Sequence, residues 1–111
     1  MKNYVQKGDT IALTAPYAVT SGAGLLVGSI FGVAETAAAL GATVEAALVG
    51  VFDLAKATGA AWTQGQKIYW DDTAKVCTGT VGTNKLVGVA VLAAASGDAV
   101  GRVRLTAAFT I

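Results

Sequence analysis

The side chains that could do covalent chemistry in this 111-residue chain are few and isolated. There is no histidine, the serines are Ser21, Ser29 and Ser96, and Cys77 is the only cysteine. A serine nucleophile of the triad type needs an imidazole base, which this chain cannot supply. Cys77 falls on a predicted strand, 75–80, without the imidazole or basic neighbour that would make it a thiolate. We therefore predict no catalytic residues and no enzyme, with Cys77 as a small core residue.

Paired carboxylates and a glycine-rich loop are the remaining chemical signals, and both fit turns better than ligand sites. Asp71 and Asp72 could offer two carboxylates to a cation, but they lie between Trp70 and Thr73 in a predicted hairpin turn. The run 22–28 resembles a dinucleotide-binding loop, yet its spacing is one residue too long and a strand is predicted to follow. A lone cysteine permits neither an intrachain disulfide nor a zinc cluster. The sequence therefore predicts no metal and no cofactor.

The charge pattern argues against nucleic acid and membrane partners. Eight basic and seven acidic residues give a net charge of +1, and without a basic run the positive stripe that binds phosphate backbones is missing. Residues 10–34 carry no charge, but Pro16 and several glycines interrupt them. No apolar block therefore reaches the roughly 18 residues of a membrane span. We predict no nucleic acid and no membrane as partners.

Other side chains are suited to contacts with a protein or a second subunit. Arg102 and Arg104 alternate with Val103 and Leu105, so both cations face one side of a predicted strand. Such a pair is typical of a solvated or ion-paired edge, and a charged contact between subunits is the alternative. Aromatic side chains often anchor interfaces, although core packing is favoured for at least one tryptophan. The candidate interface residues are Tyr4, Lys7, Trp62, Trp70, Arg102 and Arg104.

The segments that must position these side chains are predicted to be short strands joined by turns. Apolar residues alternate with their neighbours along 10–14, 44–48, 67–70 and 102–105, and Gly-rich or polar turns separate the segments. Residues 34–41 instead combine high helix propensity with a terminal glycine, but such a short helix is not stable on its own. We predict an all-β, mainly antiparallel barrel or sandwich, and leave one short helix around residues 34–41 open.

Small residues dominate the composition, since 23 Ala and 14 Gly make up a third of the chain. Many of them recur, because residues 32–41 and 88–97 share seven identities in ten positions at an offset of 56. Upstream, Gly22 matches Gly65 at an offset of 43. We predict a single domain, 1–111, with an N-terminal arm at 1–9. It is built from two repeated β units, 11–54 and 60–111, and the second unit carries an inserted hairpin at 71–85.

Several stretches of the chain resemble one family of phage proteins. They include Val19-Thr20-Ser21-Gly22, Leu26-Val27-Gly28-Ser29-Ile30-Phe31-Gly32-Val33-Ala34, Lys67-Ile68-Tyr69-Trp70-Asp71 and Leu86-Val87-Gly88-Val89-Ala90. These stretches are similar to the capsid cement, or decoration, proteins of tailed phages and prophages, and the resemblance covers essentially the whole chain. It implies a β-rich homotrimer without an active site that binds the outer surface of the mature capsid and stabilises it. The implied partners are the major capsid protein and further copies of the chain, on a virion made in the bacterial cytoplasm.

A hypothesis from another class stays open at this point. A small β-barrel of a phage particle could bind a carbohydrate or a host-surface peptide through exposed aromatics such as Trp62 and Trp70. An enzyme subunit is the least favoured alternative, because histidine is missing and the cysteine is alone. Gene order separates the first two, since a gene beside that of the major capsid protein favours a cement protein and one among tail-fibre genes favours receptor binding.

Overall fold

The computed structural model describes residue 3 and residues 8–106. Within this part of the chain there are nine strands and no helix. The strands are β1 (Thr10–Thr14), β2 (Gly24–Val27), β3 (Ile30–Ala34), β4 (Thr43–Ala47), β5 (Val51–Ala55), β6 (Lys67–Asp71), β7 (Val76–Thr78), β8 (Lys85–Ala90) and β9 (Val100–Leu105). The predicted all-β fold is confirmed. No helix of the described residues is long and apolar enough to cross a membrane.

The strands form two antiparallel sheets. Sheet one has the order β1-β4-β3-β2, and sheet two has the order β5-β9-β8-β6-β7. A bridge between Lys56 and Cys77 joins the two outer strands of sheet two, and there the N–H of Ala57 donates to the Cys77 carbonyl at 2.8 Å. Sheet two therefore curls into a half-barrel, which confirms the barrel or sandwich character predicted from the sequence.

Residues 34–41, for which the sequence left a short helix open, form no helix. Ala38 exchanges two backbone hydrogen bonds with Val19, at 2.9 and 3.0 Å, and the chain turns at Gly41 with a φ of 84°. So short a segment cannot offset the cost of nucleating a helix. The bridge to Val19 instead provides hydrogen-bond partners for the backbone N–H and carbonyl of Ala38. Tertiary pairing therefore overrides helix propensity here.

Matching backbone hydrogen bonds recur in the two halves of the chain. The bridge between Val19 and Ala38 has a counterpart between Trp62 and Ala94, at the offsets of 43 and 56 that the sequence repeat shows. We call residues equivalent when they occupy the same place in this pattern. The division of the chain into repeated units at 11–54 and 60–111 stays a prediction.

The outer strands of the two sheets follow the same pattern. Strand β1 pairs with β4 as β5 pairs with β9. The N–H of Ala15, just after β1, donates to the Ala42 carbonyl at 2.8 Å, and the N–H of Lys56, just after β5, donates to the Ala99 carbonyl at 2.8 Å. Lys56 is therefore the equivalent of Ala15. Strand β7 lies within the segment 71–85, where the sequence predicts an inserted hairpin.

Two hydrophobic cores lie within the part of the chain that the structure describes. The buried residues of the small core, in sheet one, are all aliphatic: Ala15, Val19, Leu25, Ala34, Val44 and Ala46. The large core, inside sheet two, contains Phe31, Val33, Leu54, Trp62, Ile68, Trp70, Cys77, Val87, Ala90, Val103 and Leu105. Phe31 and Val33 come from β3 of sheet one, and the rings of Phe31 and Trp70 have their centroids 5.1 Å apart. Sheet one therefore packs on sheet two through β3.

Glycines at repeated positions let neighbouring strands approach closely. A Cβ on Gly32 would lie 2.9 Å from Leu48 Cδ2, and one on Gly88 would collide with the backbone carbonyl of Arg104. Gly32 and Gly88 begin the two matching segments of the repeat. The small residues at these positions therefore serve strand packing within one chain.

Candidate interaction surfaces

The outer side of β5 and β9 presents charged and apolar side chains to solvent. Residues that are directly opposite on paired strands share one face of the sheet, and all six residues of this set are exposed. We call them the basic face. Its members are the cross-strand pairs Val51–Arg104, Asp53–Arg102 and Ala55–Val100.

An ion pair crosses the middle of the basic face. Arg102 donates to Asp53 through Nε at 2.9 Å and through a terminal nitrogen at 3.3 Å, so the contact is bidentate. The hydrogen bonds and the charge of Arg102 lower the pKa of Asp53 below its usual value, and Asp53 raises the pKa of Arg102 in the same way. Both side chains are about half exposed, so this pair contributes little stability but fixes the direction of both groups.

Arg104 is the cation of the basic face that remains available. Within residues 8–106 its guanidinium forms no ion pair. Along the same row of sheet two, Arg104 lies opposite Val89, and Val89 lies opposite Lys67. Arg104 and Lys67 therefore lie on one side of the sheet, two strands apart. The row carries two positive charges spaced by an aliphatic side chain.

Large aliphatic side chains surround these charges. Val51 is 51% exposed, Val100 is 54% exposed and Leu92 is 49% exposed. Leu92 and Val100 border a shallow depression of about 170 Å³ that also reaches the Asp53–Arg102 pair. An exposed apolar group next to fixed charges is the composition expected of a protein contact, because a partner can cover the aliphatic surface and meet the charges at once.

A groove of about 420 Å³ lies where the loop after β1 meets sheet two. The hydroxyl of Tyr17 donates to the Gly24 carbonyl at 2.9 Å, and Lys75 Nζ lies 4.0 Å from the centre of the Tyr17 ring. Lys75 also pairs with Asp72 at 3.1 Å, and Asp72 accepts a hydrogen bond from Trp70 Nε1 at 3.0 Å. These contacts fasten the β6–β7 turn to sheet one across the groove.

The chemistry of this groove is that of a structural clamp. Burial, and then the nearby negative charge of Asp72, raise the pKa of Tyr17 to about 12. The phenol therefore stays protonated at neutral pH and serves as a donor and as a ring for the Lys75 cation. This pairing could not be predicted from the sequence, because Tyr17 and Lys75 lie in different halves of the chain.

Lys56 is a buried cation that the sequence did not single out. Only 3% of it is exposed, and its Nζ donates to the carbonyls of Ala57, Ala60 and Asp98 at 3.1, 2.8 and 3.4 Å. The same ammonium lies 5.6 Å from the centre of the Trp62 ring. Three carbonyls and an aromatic face replace the water that the charge would lose on burial. Lys56 thus ties together the loops at one end of sheet two.

The potential nucleophile and the carboxylates form no reactive centre in the described residues. Cys77 is buried, and burial raises its pKa to about 12. Asp71 and Asp72 are engaged in the hairpin turn, where Asp71 Oδ1 accepts from the N–H groups of Thr73 and Ala74. Within residues 8–106 no three Cys, Asp or Glu side chains are grouped so that they could hold a metal ion.

The structure separates the six predicted interface residues into three groups. Arg102 and Arg104 are exposed together on the basic face. Trp62 and Trp70 are each 2% exposed and belong to the large core. The alternative hypothesis of a carbohydrate- or peptide-binding module, which relied on exposure of these two rings, therefore loses its main support. Tyr4 and Lys7 lie outside the described residues.

Comparison with known proteins gives one match. A family model described as phage cement protein matches residues 5–105 of the chain. No curated protein and no solved structure matches.

Proposed function

The chain belongs to the phage cement protein family, and we propose that it binds the outer surface of the mature capsid as a homotrimer and stabilises the shell. The family gives it a structural role in the capsid and a location in the virion, and this is not a class of enzymes. The match over residues 5–105 carries the proposal, since it includes both sheets and the basic face.

The partners we propose are the major capsid protein and other copies of this chain. Arg104, Val51 and Val100 on the basic face support a protein contact, because they offer an available cation beside exposed aliphatic groups. Tyr4 and Lys7 are candidates for capsid contact from the N-terminal arm. Trp62 and Trp70 would act from inside, by holding the strands that present the surface. We place synthesis in the bacterial cytoplasm, and nucleic acid is not among the proposed partners.

Stabilisation would follow from linked contacts. A trimer that touches several capsid subunits converts every contact after the first into an intramolecular one, so modest individual affinities add up to tight binding. A protein that binds only the mature lattice lowers the free energy of that lattice relative to the open or disassembled shell. No catalytic group and no metal is needed for this role.

Cosedimentation with capsids tests the proposal. We expect the purified chain to sediment with expanded capsids of the phage that encodes it, and not with compact procapsids, because the sites should form only on maturation. Decorated capsids should then release their DNA at a higher temperature than bare ones. Failure to bind either particle form would overturn the capsid role.

Light scattering on the purified chain tests the trimer. We expect about three times the 11.0 kDa mass of the chain. A mass near 11.0 kDa across micromolar concentrations, together with binding of single copies to capsids, would contradict the trimer and leave capsid binding intact.

A further inference from the structure

The outer side of β1 and β4 is the counterpart of the basic face in sheet one, and its charges have the opposite sign. Glu45 lies in the middle of β4, where the equivalent residue of β9 is Arg102. The Glu35 carboxylate reaches over the same side, because its Oε2 accepts a hydrogen bond from Thr10 Oγ1 at 3.2 Å. We call this surface the acidic face. Its members are Thr10, Ala12, Thr14, Glu35, Thr43 and Glu45.

The separation of charge extends along the chain. Residues 8–55 contain no Lys or Arg, so sheet one carries acidic groups only. The basic residues of the described chain all lie between positions 56 and 104. Within residues 8–106, Glu45 on the acidic face and Arg104 on the basic face both lack an ion-pair partner. One chain thus exposes two surfaces that differ in sign, and each has a charge available.

We propose that the acidic face of one copy of this chain docks on the basic face of a second copy. Glu45 of the first copy would meet Arg104 of the second beside the bidentate Asp53–Arg102 pair. This inference rests on the self-association in the proposed function, and it does not depend on capsid binding. It names the two surfaces that meet.

Charge selects this head-to-tail arrangement over a symmetric dimer. Pairing two basic faces would bring the Arg104 side chains of both copies together, with Lys67 on the same side of each sheet. Pairing two acidic faces would bring Glu35 and Glu45 of both copies together. Like charges brought together at an interface disfavour both symmetric pairings, whereas opposite charges favour the mixed one. A head-to-tail contact between different surfaces produces a ring when its rotation closes, and a closed trimer is one such ring.

The shapes of the two faces support the same arrangement. The acidic face carries small side chains, Ala12 and three threonines, between its carboxylates. The basic face carries Val51 and Val100, which are both about half exposed. Small residues on one sheet leave room for larger aliphatic groups on the other, so the two faces could pack at the usual spacing of stacked sheets, about 10 Å. Docking would remove both valines from water.

Charge reversal tests the docking. We compare the wild-type chain with Glu45→Arg, Arg104→Glu and the double variant Glu45→Arg/Arg104→Glu, using sedimentation velocity up to millimolar concentration. Each single variant should associate at least about tenfold more weakly, since one charge pair at such a contact is worth that factor or more. The double variant should recover association, because the exchanged charges at positions 45 and 104 would complement each other as the native pair does at every contact of the ring.

A matched control separates the docking from net charge. Lys85→Glu changes the net charge of the chain as Arg104→Glu does, but Lys85 lies opposite Trp70, away from the basic face. We expect Lys85→Glu to associate as the wild type does, and circular dichroism should show all variants folded.

Three outcomes would overturn the docking: a wild-type chain that stays monomeric at every concentration, single variants that associate normally, or a double variant that stays dissociated. Cosedimentation of the wild-type chain with capsids is a separate experiment that tests capsid binding and not the docking. A monomer that binds capsids would refute the docking alone, and a charge-dependent oligomer that ignores capsids would refute the capsid role alone.

Discussion

Sheet one and sheet two share a strand order and a pattern of backbone hydrogen bonds, but they are filled in different ways. In sheet one, Val19 and Val44 both belong to the small core. In sheet two the equivalent residues are Trp62 and Gly101, and a Cβ on Gly101 would collide with the Trp62 ring. A large and a small residue thus replace two of middle size. The same backbone accepts either pair because the combined volume, not each residue, has to fit.

The two sheets also differ in the polarity of the residue that closes one end of the core. Ala15, 1% exposed, closes the end of the small core, and its equivalent in sheet two is Lys56, 3% exposed. Sheet two carries the additional strand β7, whose backbone contact with Lys56 and Ala57 curls the sheet. The Lys56 ammonium donates to loop carbonyls at this end of the sheet. The second half of the chain, which is longer, therefore builds a larger core. It also uses a charged side chain, Lys56, to bind the loop carbonyls at one end of sheet two.

The largest expected difference between the sheets is the cost of removing the equivalent side chains Trp62 and Val19. Trp62→Ala should lower the free energy of unfolding by about 3–5 kcal/mol, because it empties the centre of the large core. Val19→Ala removes two methyl groups and should cost about 1–3 kcal/mol. Urea unfolding followed by circular dichroism measures both. Equal losses of unfolding free energy in the two variants would mean that the two cores contribute similarly to stability.

The Trp62–Gly101 pair can be exchanged for the pair that sheet one uses. Gly101→Val alone should be strongly destabilising because it overlaps the ring, whereas Trp62→Val alone leaves a cavity. In the double variant the two changes should compensate, with a coupling energy of about 1–3 kcal/mol in a double-mutant cycle. If the losses of stability in the two single variants simply add in the double variant, the combined volume of the two side chains does not decide which pair sheet two accepts.

Lys56 can be tested against its equivalent in the same way. Lys56→Ala leaves three carbonyls without their donor and a space beside Trp62, so we expect a loss of about 1–3 kcal/mol. Lys56→Met keeps most of the volume and should separate the lost packing from the lost hydrogen bonds. In sheet one, Ala15→Lys brings a charge into the small core, whose buried residues are all aliphatic. It should destabilise more than Lys56→Met, as measured by thermal unfolding.

The alternation of residues predicted β1, β4, β6 and β9, because each face of a sheet is either buried or exposed along its length. Strand β9 is such a case, since Val103 and Leu105 are buried and Arg102 and Arg104 are exposed. The segment around Ala38 could not be predicted, because its strand partner Val19 is chosen by tertiary contact. The repeated glycines, in contrast, marked real close approaches at Gly32 and Gly88.

The candidate site was predicted in part. The two arginines could be placed on one exposed face from spacing alone, whereas the partner of Arg102 is Asp53, 49 residues away in the chain. Exposure of Trp62 and Trp70 could not be judged from composition, because a tryptophan suits a core and an interface equally. Lys56 gave no signal, since its burial depends on carbonyls from three separate loop positions.

Cysteine reactivity can show which sheet opens first. Cys77 is buried in the large core, and its raised pKa keeps the thiol neutral below pH 9, so an aromatic disulfide reagent should react only when sheet two opens. Val44→Cys in a Cys77→Ala chain places the reporter in the small core. We expect this second thiol to react faster at pH 8, because a smaller core costs less to open locally. Equal rates would mean that both sheets open as one unit.

The same thiol makes the large core sensitive to alkali. Because the pKa of Cys77 is raised from 9.0 to about 12 on folding, its contribution to stability is present below pH 9 and is lost as the pH rises towards 12. Cys77→Ala should flatten the decline of stability in this window.

The smallest expected effect concerns two carboxylates on the outer strands of the sheets, Asp53 beside Arg102 and Glu45 in sheet one. The pKa of Asp53 is lowered in the folded chain, so the stability it contributes is present above its ordinary value of 3.8 and is lost as the pH falls below it. Asp53→Asn should therefore lower the melting temperature slightly at pH 7 and not at pH 2. Glu45→Gln is the matched control at concentrations too low for copies to associate, because Glu45 has no ion-pair partner in residues 8–106 of its own chain. Under these conditions its melting temperature should follow the wild type at both pH values. Raising the salt concentration should shrink the Asp53→Asn difference at pH 7, since the pair is exposed. At concentrations where copies associate, Glu45→Gln should also lower the melting temperature at pH 7, because the acidic face then pairs with Arg104 of a second copy, and dilution should abolish this loss.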